Sequence, residues 1–105
     1  MSIVKIIERD SDFEPYIQNT QLVLAVFSAT WCGPCKALEP IVEKIAQDYQ
    51  GRVSVCKIDI DDCTQTTNKY SVRSVPTCLV FVNGQKSASL AGLTSRENII
   101  RALGI

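Results

Sequence analysis

An α/β architecture, with a mixed β-sheet of about five strands flanked by helices on both faces, is predicted by a few features of the chain. Strand-like and helix-like patterns alternate in the order βαβαβαββα. Leu22-Val23-Leu24-Ala25-Val26-Phe27 is apolar at every position, as a central strand covered on both faces must be. Asn83-Gly84 lies between two strand-like runs and is a strong signal for a two-residue hairpin. Early crossover helices and a late hairpin together require parallel and antiparallel neighbours, hence a mixed sheet.

Taken in order, Ile3 to Ile7 is a short β-branched run that reads as the first strand. Ser11, Asp12 and Glu14 look like a helix start, and Pro15 fits if the helix begins just before it, where backbone donors are unpaired anyway. After the central strand, Leu38, Ile41, Val42, Ile45, Ala46 and Tyr49 share one face of an amphipathic helix. Pro40 interrupts its hydrogen bonding and is expected to kink it, and Gly51 is expected to end it as a left-handed cap. Val53 to Ile58 reads as a strand, and Asp61 to Tyr70 as a weak, Thr-rich helix. Thr77 to Val82 and Lys86 to Leu90 form the antiparallel pair around Asn83-Gly84. Thr94 and Glu97 form a capping box ahead of Ile99, Ile100 and Leu103.

Residues 1–105 are read as a single domain, a size that supports one core. Lys plus Arg number 11 and Asp plus Glu number 11, so the formal net charge is zero. No like-charge block is present, which argues against nucleic acid and against an anionic membrane surface as partners. The apolar run at Leu22 to Phe27 is too short to span a bilayer. Met1-Ser2-Ile3-Val4-Lys5 lacks the basic, apolar and small-residue regions of an export signal, so a cytoplasmic location is expected. The five cysteines are an odd number for a secreted disulfide scaffold. In a reducing compartment, paired cysteines point to catalysis or metal binding.

Trp31-Cys32-Gly33-Pro34-Cys35-Lys36 carries the chemistry. It follows the buried strand and opens the long helix. A helix N-terminus offers unpaired N–H groups and partial positive charge, which favour a thiolate over a thiol. Two intervening residues place the second sulfur one turn on, within bonding distance of the first. Pro34 fixes φ in the first helical turn. A structural zinc site would need two further ligands, and the chain has no histidine and no second C-x-x-C, so no metal is expected. Trp31 reads as a partly exposed substrate contact, a place where tryptophan is enriched.

Together with Pro40, Lys57, Asp61, Lys69-Tyr70, Val75-Pro76-Thr77, Asn83-Gly84 and Gly92, this motif resembles the thioredoxin family over the whole chain. The resemblance implies the thioredoxin fold and a protein-disulfide reductase. Cys32 would be the attacking thiolate. Cys35, more buried, would resolve the mixed disulfide and leave a Cys32–Cys35 disulfide. No cofactor would be bound; an NADPH-dependent flavoprotein, thioredoxin reductase, would restore the dithiol. The other partners would be client proteins with disulfides, met by a monomer. Pro76 resembles the family's cis-proline, leaving the backbone of Val75 to pair with an extended substrate. Trp31, Gly33, Pro34, Val75, Pro76, Ala91 and Gly92 would frame a shallow docking surface.

Val26 departs from the pattern, because the family usually has a buried Asp there, beneath Cys35, that helps move its proton. Val avoids the cost of burying a carboxyl, and resolution by Cys35 is expected to be slower for it. Lys57 would also lose its partner. Cys56 and Cys78 fall in predicted strands and read as small buried hydrophobes, whereas Cys63 follows Asp61-Asp62, where exposure and a regulatory disulfide are open. The alternatives are a binding module on the same fold, or a specialised protein with restricted clients. A disulfide-forming oxidant fits less well, given Pro34 and the absence of export features.

Overall fold

The computed structural model describes residues 3–105; Met1 and Ser2, part of the stretch read for export features, lie outside the described residues. Among the described residues, one five-stranded sheet has the order β1-β3-β2-β4-β5. Its strands are β1 (Lys5–Ile7), β2 (Leu22–Ser28), β3 (Ser54–Asp59), β4 (Thr77–Val82) and β5 (Gln85–Ala91). The helices are α1 (Phe13–Gln18), preceded by a 3₁₀ turn at Asp10–Asp12, then α2 (Gly33–Asp48), α3 (Thr64–Lys69) and α4 (Arg96–Leu103). β1 and β2 run parallel to β3, while β4 is antiparallel to both β2 and β5, so the sheet is mixed as its sequence predicts.

The uniformly apolar β2 divides its side chains between two cores, because successive strand residues point to opposite faces. Leu24 and Val26 pack with Leu38, Val42 and Ile45 of α2 and with Ile99 and Leu103 of α4. Val23, Ala25 and Phe27 pack on the other face with Phe13 and Ile17 of α1 and with Cys63. The rings of Phe13, Tyr70 and Phe81 meet edge to face there, at centroid separations of 5.2–5.6 Å. Fully burying each such side chain is worth about 1.5–3 kcal/mol, so both faces of β2 are anchored.

The turns follow local chemistry. Asn83 and Gly84 have φ of 51° and 81°, the pair of left-handed residues that a type I′ hairpin needs. α2 runs unbroken through Pro40, which supplies no N–H to the Lys36 carbonyl. That helix ends at Asp48 with Tyr49 as its cap, and Gly51, at φ 89°, serves the turn beyond it rather than the cap. The capping residue of α4 is also one place later than predicted. Ser95, not Thr94, accepts the backbone N–H of Asn98 at 3.1 Å, and Thr94 accepts the Asn98 side-chain amide instead. No helix among the described residues is long and apolar enough to cross a membrane.

Candidate functional site

The antiparallel pairing of β2 with β4 sets Phe27, near the end of one strand, opposite Thr77, the first residue of the other. Two loops therefore arrive at the same end of the sheet. One carries Trp31 and Cys32 into α2; the other carries Val75 and Pro76 into β4.

Cys32 is the cap residue of α2, in extended backbone conformation, and its Sγ accepts the backbone N–H of Cys35 at 3.2 Å. The two cysteines are joined by a disulfide, with their Cα atoms 5.3 Å apart. No acidic residue lies in the first turn of α2, so no side chain there offsets the positive end of the helix dipole. Both cysteines are only 4% exposed and form a small cluster with Ala29, against which Ile60 and Val75 pack.

Trp31 is the opposite case, at 68% exposed. Its indole N–H donates to Asp61 Oδ2 at 3.1 Å, which fixes the ring's orientation while the residue stays largely exposed. Asp61 is itself held by its backbone N–H on the Asp59 carboxylate at 2.8 Å. Gly33 and Pro34 lie exposed in the first turn of α2, and a side chain at Gly33 would meet nothing within 4 Å. The Val75–Pro76 bond is cis. The Pro76 carbonyl accepts the Gly92 N–H at 2.7 Å, and Thr77 pairs with Ala91, so Ala91 and Gly92 flank the proline. The structure thus groups Val75 with the cysteines, and Pro76 with Ala91 and Gly92.

Below the disulfide, Val26 pairs with Lys57 on β3 and with Cys78 on β4. A cavity of about 180 Å³ opens here, lined among others by Val26, Ser28, Cys35, Glu39 and Lys57. The expectation that Lys57 lacks a partner is corrected: its Nζ donates to Glu39 Oε1 at 2.7 Å. Glu39 takes this place because it lies four residues beyond Cys35, one turn along the same helix face.

The remaining cysteines are buried, Cys63 included, so the reading that left Cys63 open to solvent is corrected. Cys63 tucks under the start of α3, with its sulfur 3.7 Å from the Ile7 carbonyl. Burial, and secondarily the surrounding Asp10, Asp62, Asp59 and Asp12 carboxylates, pushes its thiol up to about 11. Burial alone raises Cys78 to about 12 and holds Cys56 still further from ionising. Near neutral pH these three thiols are protonated.

The thioredoxin family model matches residues 4–104. The chain belongs to the thioredoxin family. It is 40% identical over 103 residues to a thioredoxin of Staphylococcus aureus, a match covering 98% of this chain and 96% of that one. Its fold is similar to that of a mutant thioredoxin from Halobacterium salinarum, with a TM-score of 0.88 and 31% identity over 98% of this chain and 91% of that one. It is equally similar to a thioredoxin of Plasmodium falciparum, at TM-score 0.88 and 31% identity, covering 96% of this chain and 97% of the other. With its disulfide-forming cysteine pair, this thioredoxin-family chain is a thiol–disulfide oxidoreductase that reduces protein disulfides.

Two residues beside the site stand outside the cysteine motif. Asp61 belongs to the family pattern, and its carboxylate holds the Trp31 indole. Glu39 lies four residues beyond Cys35, a spacing that the sequence carries.

Proposed function

We propose that Cys32 is the attacking thiolate and Cys35 the resolving thiol in a cycle that reduces disulfides of client proteins. The observation that carries this assignment is the Cys32 sulfur at the N-cap of α2, accepting a backbone N–H beside the exposed Trp31. A negative sulfur there gains both the hydrogen bond and the helix dipole, whereas Cys35 lies inside the first turn.

In the reduced protein the Cys32 thiolate attacks one sulfur of a client disulfide. A Cys32–client S–S bond forms, the client S–S bond breaks, and the departing client sulfur takes up a proton. Cys35 then gives up its proton and attacks Cys32 Sγ. The Cys32–Cys35 disulfide forms, the second client sulfur leaves and is protonated, and two electrons have passed to the client. Trp31, Gly33, Pro34, Val75, Pro76, Ala91 and Gly92 form the docking surface, with the Val75 backbone pairing with an extended client segment. The exposure of Trp31, Gly33 and Pro34 and the open space over Gly33 support this use.

The chain acts as a single-domain monomeric electron carrier in the cytoplasm. Thioredoxin reductase, using NADPH, returns the disulfide to the dithiol, and no cofactor stays bound between cycles. The family membership supports both partners. Neither nucleic acid nor membrane takes part, in keeping with the zero net charge.

A trapping experiment tests the division of labour. Cys35→Ser, reduced and mixed with a disulfide-bonded protein, is expected to accumulate a mixed disulfide that mass mapping places on Cys32. An adduct on another cysteine, or none while the unaltered protein reduces the same substrate, would overturn the assignment.

A further inference from the structure

We infer that Glu39, held by Lys57, is the group that takes the proton from Cys35 when the mixed disulfide is resolved. This deepens the proposed function and rests on its assignment of Cys35 as the resolving thiol.

Cys35 needs a proton acceptor, and nothing apolar can serve. Val26, on the strand beneath it, offers none. Cys35 and Glu39 sit one turn apart on α2 and line the same cavity of about 180 Å³. A water molecule claims about 30 Å³ in the liquid and needs two to four polar partners. The cavity is large enough for water, and Ser28, Glu39 and Lys57 supply polar partners along its wall. Water in this cavity would connect Cys35 to the Glu39 carboxylate, since both line it.

The Lys57–Glu39 pair has a role here beyond stability. Its members are 36% and 50% exposed, and exposed pairs contribute only about 0–1 kcal/mol. What the 2.7 Å contact does is fix one carboxylate oxygen on Lys57, and a carboxylate has a second oxygen with which to receive a proton. Lys57 reaches this position because it pairs with Val26 on the central strand. The charged groups facing the cavity are Glu39 and Glu43 from α2 and Lys57 from β3, with Lys36 and Asp59 lining the adjoining depression. Glu43 is a further turn from Cys35, which leaves Glu39 as the nearer acid.

The Cys35 thiol gives its proton through water to Glu39. The resulting thiolate forms the S–S bond to Cys32 while the Cys32–client S–S bond breaks. The client sulfur leaves with the electron pair and is protonated, and Glu39 returns its proton to solvent.

Rapid mixing of the reduced protein with 5,5′-dithiobis(2-nitrobenzoate) separates the stages, because attack by Cys32 frees one chromophore and resolution by Cys35 frees the second. Glu39→Gln keeps the shape and an oxygen toward Lys57 but cannot accept the proton. Its second phase is expected to slow about tenfold near pH 6–7, less than the roughly 10²–10⁴-fold of a group in direct contact because this transfer runs through water, with the first phase unchanged. The deficit should narrow as pH rises, because a growing thiolate fraction needs no acceptor, and Glu39→Asp should recover part of the rate. An unchanged or faster second phase in Glu39→Gln, or a loss seen in Glu43→Gln instead, would overturn the role of Glu39 while leaving Cys35 as the resolving thiol. Release of a single chromophore by the unaltered protein would overturn the resolving role itself, and this inference with it.

Discussion

Five cysteines in one short chain have different fates, and position rather than chemistry separates them. Cys32 and Cys35 sit at the positive end of α2, while Cys56, Cys63 and Cys78 are buried, and that burial, joined at Cys63 by nearby carboxylates, keeps them protonated. The motif around Cys32 was legible because its spacing is local. The fate of Cys63 was not, because its cover comes from distant segments of the chain, including the Ile7 carbonyl. Val26 shows the same division. Its apolar character was readable, but the carboxylate standing near it comes from α2 and was not. Val26→Asp would place a carboxyl where the residue is 4% exposed, and burying an ionised group there costs on the order of several kcal/mol before compensation. A lower midpoint in denaturant is therefore expected. The same change supplies an acceptor beneath Cys35, so resolution should quicken between about pH 6 and 7.5. If Glu39 already fills that role, the gain should be larger in a Glu39→Gln background, which a double-mutant cycle measures. No loss of stability, or an equal gain in both backgrounds, would contradict this account.

Helix α3 illustrates how an element can depend on a partner far away in sequence. Its residues, Thr64–Lys69, have weak helical preference, and Cys63 at its start makes no side-chain cap. Asp10 supplies the cap from the 3₁₀ turn before α1. Its carboxylate accepts the backbone N–H of Thr66 at 2.7 Å and of Gln65 at 3.3 Å. This contact spans more than fifty positions and explains why the sequence overextended the helix to 61–70. By contrast, Asn83-Gly84 was read correctly because a type I′ turn depends only on its own residues. The hydrogen bond from the Thr66 backbone holds the Asp10 carboxyl below its ordinary value of 3.8. A carboxylate depressed in the folded state stabilises the fold above its unfolded pKa and loses that contribution as pH falls through the folded one. Asp10→Ala should therefore be less stable than the unaltered protein at pH 7, with the gap narrowing below about pH 4. Denaturant melts at several pH values check this, and a gap that stays constant into acid would contradict the cap.

In the assembled molecule, the strand order decides where the chemistry happens. β2 lies inside the sheet with β3 parallel on one side and β4 antiparallel on the other, so the end of β2 and the start of β4 meet at the same end of the sheet. That arrangement brings the Cys32–Cys35 disulfide and the Val75–Pro76 loop together, with Val75 packed on the cysteine cluster. Alternation of strands and helices made the layered class readable. The adjacency of the two loops was readable only through resemblance to a family, because no periodicity encodes which strand ends meet. The two cores on either side of β2 anchor the strand that leads into this end of the sheet. Reduction of insulin disulfides, driven by NADPH and thioredoxin reductase, examines the whole cycle at once. The unaltered protein is expected to turn over many times, and Cys32→Ser and Cys35→Ser to fall to the background of reductase alone. Reduction by Cys35→Ser as fast as by the unaltered protein, or no reduction above background by the unaltered protein, would contradict a cycle built on these two sulfurs.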